Sequence, residues 1–139
     1  MNKRILILCT GNSARSQMAE GLLRQMAGEQ AEVESAGIAP SFVRDEAIKA
    51  MAEVGIDISS HRSKSVDEFV GQPFDYVITV CDNANETCPN FPGSTKRLHW
   101  SFEDPASVDG PPEIRLAAFR RIRDEIRQKL GAFADDLTK

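Results

Sequence analysis

No apolar run in this 139-residue chain approaches the roughly 20 consecutive residues needed to span a bilayer. The N-terminus also lacks the apolar core of a secretory signal. A cytoplasmic protein in a reducing compartment, with no membrane partner, is therefore expected. There is no basic run and the net charge is −4, which argues against nucleic acid. The two histidines, His61 and His99, do not complete a paired-ligand pattern with the cysteines, so no metal and no cofactor are expected. There are only three cysteines, Cys9, Cys81 and Cys88, which in a reducing compartment read as chemistry rather than as a structural framework. Asn85-Glu86-Thr87 has the form of a glycosylation acceptor, but carries almost no weight without secretion. No internal repeat, low-complexity segment or linker is present. Residues 1–139 read as a single domain with one core, expected to be a monomer.

What the chain does have is concentrated between Arg4 and Gly21. Ile5 to Leu8 reads as a short buried strand that ends at Cys9. Thr10, Gly11, Asn12, Ser13 and Ala14 are small or polar, and Gly11 and Asn12 tolerate positive φ. From Arg15 the pattern is helical, with Met18, Leu22 and Met26 on one face. A thiol thus sits where a strand meets a helix N-terminus, six positions before an arginine. Amides in such a turn and the helix dipole favour a tetrahedral oxyanion, which Arg15 can fork. The same field favours thiolate at Cys9, with Ser16 placed to donate to the sulfur. A lone cysteine is usually a small core residue. Here strand, cysteine, five-residue loop, arginine and helix coincide, which favours the chemical reading. No Gly-Lys-Ser/Thr follows, so this is not a nucleotide P-loop.

Cys9-Thr-Gly-Asn-Ser-Ala-Arg15-Ser16 resembles the phosphate loop of low-molecular-weight tyrosine phosphatases. The extension Gln17 to Gly21, with Ser35-Ala36-Gly37, resembles the arsenate reductases that share that fold. The likeness implies that residues Thr10 to Ser16 bind the oxyanion and that Cys9 and Arg15 are catalytic.

Further along, Ala31 to Ala36 reads as a second strand, and Asp45 to Val54 as a helix with Ala47, Ile48, Met51 and Ala52 at helical spacing. Ser65 to Glu68 has the form of a capping box before a brief helix. Phe74 to Val80 carries a clear strand signal and ends at Cys81. Residues 82–95 are polar and read as a long loop; Lys96 to Trp100 reads as a fourth strand. A final helix follows Pro112, with Leu116, Phe119, Ile122, Ile126, Leu130 and Phe133 stepping by three or four. Alternating strands and helices imply an α/β fold, a parallel sheet with helices on both faces. With right-handed crossovers, the resemblance gives a four-stranded sheet of order 2-1-3-4. That order sets Cys9 and Cys81 on adjacent strands about 4.8 Å apart, close to the roughly 5.5 Å Cα spacing of a disulfide.

Cys81-Asp-Asn-Ala-Asn-Glu-Thr-Cys88-Pro89 is similar to thioredoxin-coupled arsenate reductases. The resemblance implies a relay. Cys9 attacks arsenate, Cys81 resolves the adduct and releases arsenite, and Cys88 then resolves Cys81 to give a disulfide that thioredoxin reduces. Were residues 82–88 helical, Cys81 and Cys88 would lie about 10 Å apart along the axis, so bridging them requires unwinding. The likeness also assigns the general acid to Asp104, before Pro105, with Glu103 as competitor. Glu20 and Ser35 match residues that hold a potassium ion in some relatives. Those relatives carry an aspartate where this chain has Lys64, whose ammonium is expected to replace the ion and pair with Glu20. The alternative is a low-molecular-weight tyrosine phosphatase or phosphomonoesterase, which has less need of Cys81 and Cys88. A non-turnover anion sensor is a third reading.

Overall fold

The computed structural model of the protein describes residues 3–89 and 91–137. Within the triplet Asn85-Glu86-Thr87, the Asn85 and Thr87 side chains lie outside the described set. Four strands, β1 (Lys3–Cys9), β2 (Ala31–Gly37), β3 (Tyr76–Thr79) and β4 (Lys96–His99), form one parallel sheet of order β2-β1-β3-β4. The helices are α1 (Arg15–Ala27), α2 (Asp45–Ala52), α3 (Asp82–Thr87) and α4 (Pro112–Leu137).

β1 is the central strand because Ile5, Leu6, Ile7 and Leu8 are all fully buried, so both of its faces are covered. An uninterrupted apolar run suits a parallel strand between two helical layers. On one side α1 packs on β1 and β2 and against α4, which also holds α2. Phe133 of α4 meets Tyr76 of β3 and Trp100 edge-on, with ring centroids 5.1 and 5.6 Å away. Edge strand β4 is four residues long and exposes Lys96 and Arg97, which discourages pairing with another chain. One expectation needs correction: residues 82–87 form α3 rather than loop. In α2, Ala47, Ala50 and Met51 face the core.

β1 leads outward to β2 on one side, while β3 and β4 lie on the other. A crevice therefore opens at the carboxyl ends of β1 and β3, the topological switch point where ligands bind in open α/β sheets. Leu8 is level with Thr79, so Cys9 ends its strand beside Val80, one residue short of Cys81.

Segment 38–44, which follows β2, lies along the 10–14 loop. The backbone N–H groups of Ile38, Ala39, Ser41 and Arg44 donate to the carbonyls of Cys9, Thr10, Gly11 and Ser13 at 2.8–3.1 Å. This closeness requires a glycine at position 37. A Cβ there would stand 2.6 Å from the Thr10 carbonyl oxygen and 2.9 Å from the Asn12 nitrogen, both backbone atoms that cannot swing aside. Gly37→Ala is expected to cost about 1–3 kcal/mol of stability through overpacking. It should also displace the loop, so phosphate binding measured by calorimetry should weaken alongside the urea midpoint.

Candidate active site

The loop's amide orientation follows from its carbonyls. In a trans peptide the C=O and the following N–H point in opposite directions. Four loop carbonyls are turned outward to segment 38–44, so the amides after them point the other way. The Thr10 N–H is one of these, and it reaches the Cys9 sulfur. Asn12 sits at φ 48°, the left-handed conformation that Asn tolerates.

The Asn12 side chain is fully buried and holds the loop from beneath. Its Nδ2 donates to Ser16 Oγ (2.8 Å) and Ser35 Oγ (2.9 Å). Its Oδ1 accepts from the Lys64 backbone N–H (2.8 Å) and from Gln17 Nε2 (3.0 Å). Ser35 Oγ passes the chain on to Glu20 Oε1 (2.8 Å). Glu20, almost wholly buried, faces three basic groups: Lys64 Nζ (3.3 Å), Arg24 Nη1 (3.3 Å) and His61 Nδ1 (3.2 Å). The pairing expected of Lys64 with Glu20 is present, and a second pair joins Lys64 to Glu34 at 2.8 Å. Burial is the main influence on His61, lowering its pKa, so it sits in this network chiefly as neutral imidazole. Neither Gln17 nor His61 was singled out from sequence as part of this support.

Above the loop is a cavity of about 180 Å³. Cys9, Thr10, Gly11, Ser13, Ala14 and Arg15 line it, as expected. The Asn12 and Ser16 side chains are fully buried, and neither residue lines the cavity. Ser16, expected at the sulfur, receives its hydrogen bond from Asn12. Ser41 and Arg44 complete the wall from segment 38–44, and no motif in the sequence pointed to them.

Arg15 is held by a hydrogen bond from Nη1 to the Phe102 carbonyl (3.0 Å), while Nη2 stands 3.9 Å from Asp104 Oδ2. Asp104 lines the cavity, and its other oxygen accepts from the Ala106 N–H at 2.9 Å, capping the turn at Pro105. Glu103 is committed elsewhere, to Arg121 at 2.8 Å on the surface. Between the two acids, only Asp104 reaches the cavity.

All three cysteines are free. Cys9 and Cys81 are both buried, close enough for each thiol to shift the titration of the other, and Thr10 Oγ1 lies 3.3 Å from the Cys81 sulfur. Cys9 is pushed up, first by Cys81 and then by burial, against the pull of Arg15 and the Thr10 amide. Cys81 is pulled down to about 5, first by Cys9 and, against the cost of burial, by the Thr10 hydroxyl. Two such sulfurs titrate as a unit that gives up one proton readily and keeps the other. The expected independent Cys9 thiolate is thus corrected. Cys9 is raised and Cys81 lowered, so the titration belongs to the pair rather than to Cys9 alone. The loop's field is as anticipated, but the sulfur next door outweighs it.

Cys88 stands apart at the C-terminal end of α3. It is half-buried, with its thiol donating to the Pro89 carbonyl at 3.4 Å, and burial pushes its pKa up. With α3 formed, helical rise sets Cys81 and Cys88 about 10 Å apart, beyond disulfide reach. The start of α3 is tied down. Asp82 Oδ1 lies 2.9 Å from His99 Nε2, and His99 Nδ1 lies 2.8 Å from Thr79 Oγ1.

Comparison with known proteins agrees with this geometry. Residues 4–139 match the model of the low molecular weight phosphotyrosine protein phosphatase family. An arsenate reductase of Bacillus subtilis is 48% identical over 134 residues, covering 96% of both chains. The solved structure of an arsenate reductase in its oxidized state superposes with a TM-score of 0.82 at 30% identity, covering 97% of this chain and 98% of that one. A thioredoxin-dependent arsenate reductase of Corynebacterium glutamicum gives 0.78 at 27% identity, covering 99% of this chain and 62% of the other. With a loop of this form at the switch point of this sheet, and relatives matched from end to end, the chain belongs to the low-molecular-weight phosphotyrosine protein phosphatase family, among relatives that are arsenate reductases.

Proposed function

We propose that the protein reduces arsenate to arsenite through Cys9, Cys81 and Cys88, with thioredoxin as reductant. The placement of Cys9 in the cavity wall, with the buried Cys81 sulfur 3.3 Å from the hydroxyl of the next residue, Thr10, carries the reading. A phosphatase needs one thiol there, whereas a two-electron reduction needs a second within reach. The Corynebacterium relative's thioredoxin dependence supports the choice of reductant.

Arsenate sits on the loop amides and Arg15. As Cys9 attacks arsenic, the proton of the sulfur pair passes to an arsenate oxygen, which leaves Cys81 as the thiolate; another oxygen leaves as water with a proton from Asp104. Cys81 then attacks the Cys9 sulfur. The S–As electron pair stays with arsenic, which departs as arsenite, and a Cys9–Cys81 disulfide remains. Cys88 attacks Cys81 and frees the Cys9 thiolate, which needs α3 to unwind. Thioredoxin takes up the oxidation from the Cys81–Cys88 disulfide. Residues 82–87 supply a helix only six residues long, short enough to open at modest cost.

Thioredoxin-coupled NADPH oxidation on adding arsenate tests the scheme. Cys9→Ser is expected to abolish it. Cys88→Ser should stop after one turnover and accumulate a Cys9–Cys81 disulfide, identified by peptide mass; sustained turnover by that variant would refute the relay. Phosphate-ester hydrolysis without arsenate-dependent oxidation would favour the phosphatase instead.

The charge state of the pair has its own check. Removing the Cys9 partner takes away the largest influence lowering the Cys81 pKa. In Cys9→Ala, Cys81 should therefore titrate well above about 5, and thiolate absorbance near neutral pH should fall.

The Lys64 ammonium takes the place of the potassium ion that some relatives hold beside the loop, and neutralises Glu20 from within the chain. Melting temperature and turnover should then be equal in potassium and sodium salts of matched ionic strength. A clear gain in potassium would count against it.

A further inference from the structure

Arg44 stands out among the cavity's walls. Among the described residues, its Nε is the only buried side-chain nitrogen or oxygen with no hydrogen-bond partner. A buried donor left unmade is costly, and native proteins rarely tolerate one without a reason. The guanidinium carbon rests 5.1 Å from the Phe42 ring centroid, and Phe42 is itself 58% exposed. The nearby acid Glu46 is already engaged by Arg115 at 3.0 Å. Arg44 is therefore a charged side chain in the wall of an anion cavity with an unspent donor.

Its backbone is coupled to the loop. The Arg44 N–H donates to the Ser13 carbonyl at 2.9 Å, and its own carbonyl accepts from Ile48 at 3.1 Å in the first turn of α2. The residue is thus fixed relative to the anion-binding amides, opposite a guanidinium that is partly committed. Arg15 spends one nitrogen on the Phe102 carbonyl and turns another toward Asp104.

We propose that Arg44 is a second guanidinium for the bound oxyanion, donating to an oxygen that the loop amides and Arg15 leave free, and that it makes the cavity selective for a charged oxyanion over the neutral product. This rests on the arsenate reading above. Arsenate carries one to two negative charges near neutral pH, whereas arsenous acid carries none. A charge-assisted bond from Arg44 strengthens substrate binding and gives the product nothing to hold. Arg44 is a substrate-binding and specificity residue, with no part in the sulfur steps.

The experiment measures inorganic phosphate binding by calorimetry to the reduced protein, and KM and kcat for arsenate, in wild type and in Arg44→Gln, Arg44→Lys and Phe42→Leu. Arg44→Gln is expected to weaken phosphate binding and raise the arsenate KM about tenfold each, the scale of one charge-assisted hydrogen bond. Its kcat should stay within about twofold. Arg44→Lys, which keeps the charge but loses the planar guanidinium fork, should recover only part of the affinity. Phe42→Leu should bind phosphate as wild type does. Arsenite inhibition should be the same in all four proteins. Phosphate affinity and KM within twofold of wild type in Arg44→Gln would overturn the proposal. So would equal losses in Arg44→Gln and Phe42→Leu with matching falls in melting temperature, which would make the pair a packing contact. Because phosphate binding is read without turnover, a protein that binds phosphate through Arg44 yet reduces no arsenate would fail the arsenate reading alone.

Discussion

The site depends on the outward turn of the loop carbonyls. Once Cys9, Thr10, Gly11 and Ser13 spend their oxygens on segment 38–44, peptide geometry turns amides toward the cavity with no help from any side chain. Everything nearby protects that choice. Gly37 allows the close approach, and Asn12 fills its four hydrogen bonds beneath the loop. The buried Glu20 network then fixes Asn12's partners. Polar groups this deep are costly when unpaired, so a network completed at every member gives the loop one conformation rather than several.

The two chemical demands on the cavity pull against each other. Under the proposed relay a nucleophile calls for a charged sulfur at Cys9, while a resolving thiol must lie close enough to bond with it. The nearness of Cys81 raises the Cys9 pKa and lowers its own. Reactivity is then a property of the pair.

Much of this was legible in the sequence where local signals were strong. The run Ile5 to Leu8 announced a buried strand, and the loop with Arg15 announced an anion site, because each depends on consecutive residues. The order of the strands came from family likeness, since periodicity says nothing of which strand lies beside which. Helix α3 escaped because Ala84 is its single apolar residue and faces the core, and no apolar period marks a segment with five polar residues as helical. Arg44 escaped because it lies in a stretch without a motif and reaches the cavity only through the path of segment 38–44. The shared titration of Cys9 and Cys81 is a tertiary effect, set by strand order.

The ties on α3 are unequal. Its first residue is fastened through His99 to the end of β3, and Cys81 lies buried against the loop. At its far end the half-buried Cys88 donates to the next carbonyl and feels the Arg97 charge. Under the proposed relay, α3 is held at the sulfur that stays aligned with the cavity, while Cys88 at its other end has to travel. Opening from that end would carry oxidising equivalents outward without the oxyanion cradle having to open.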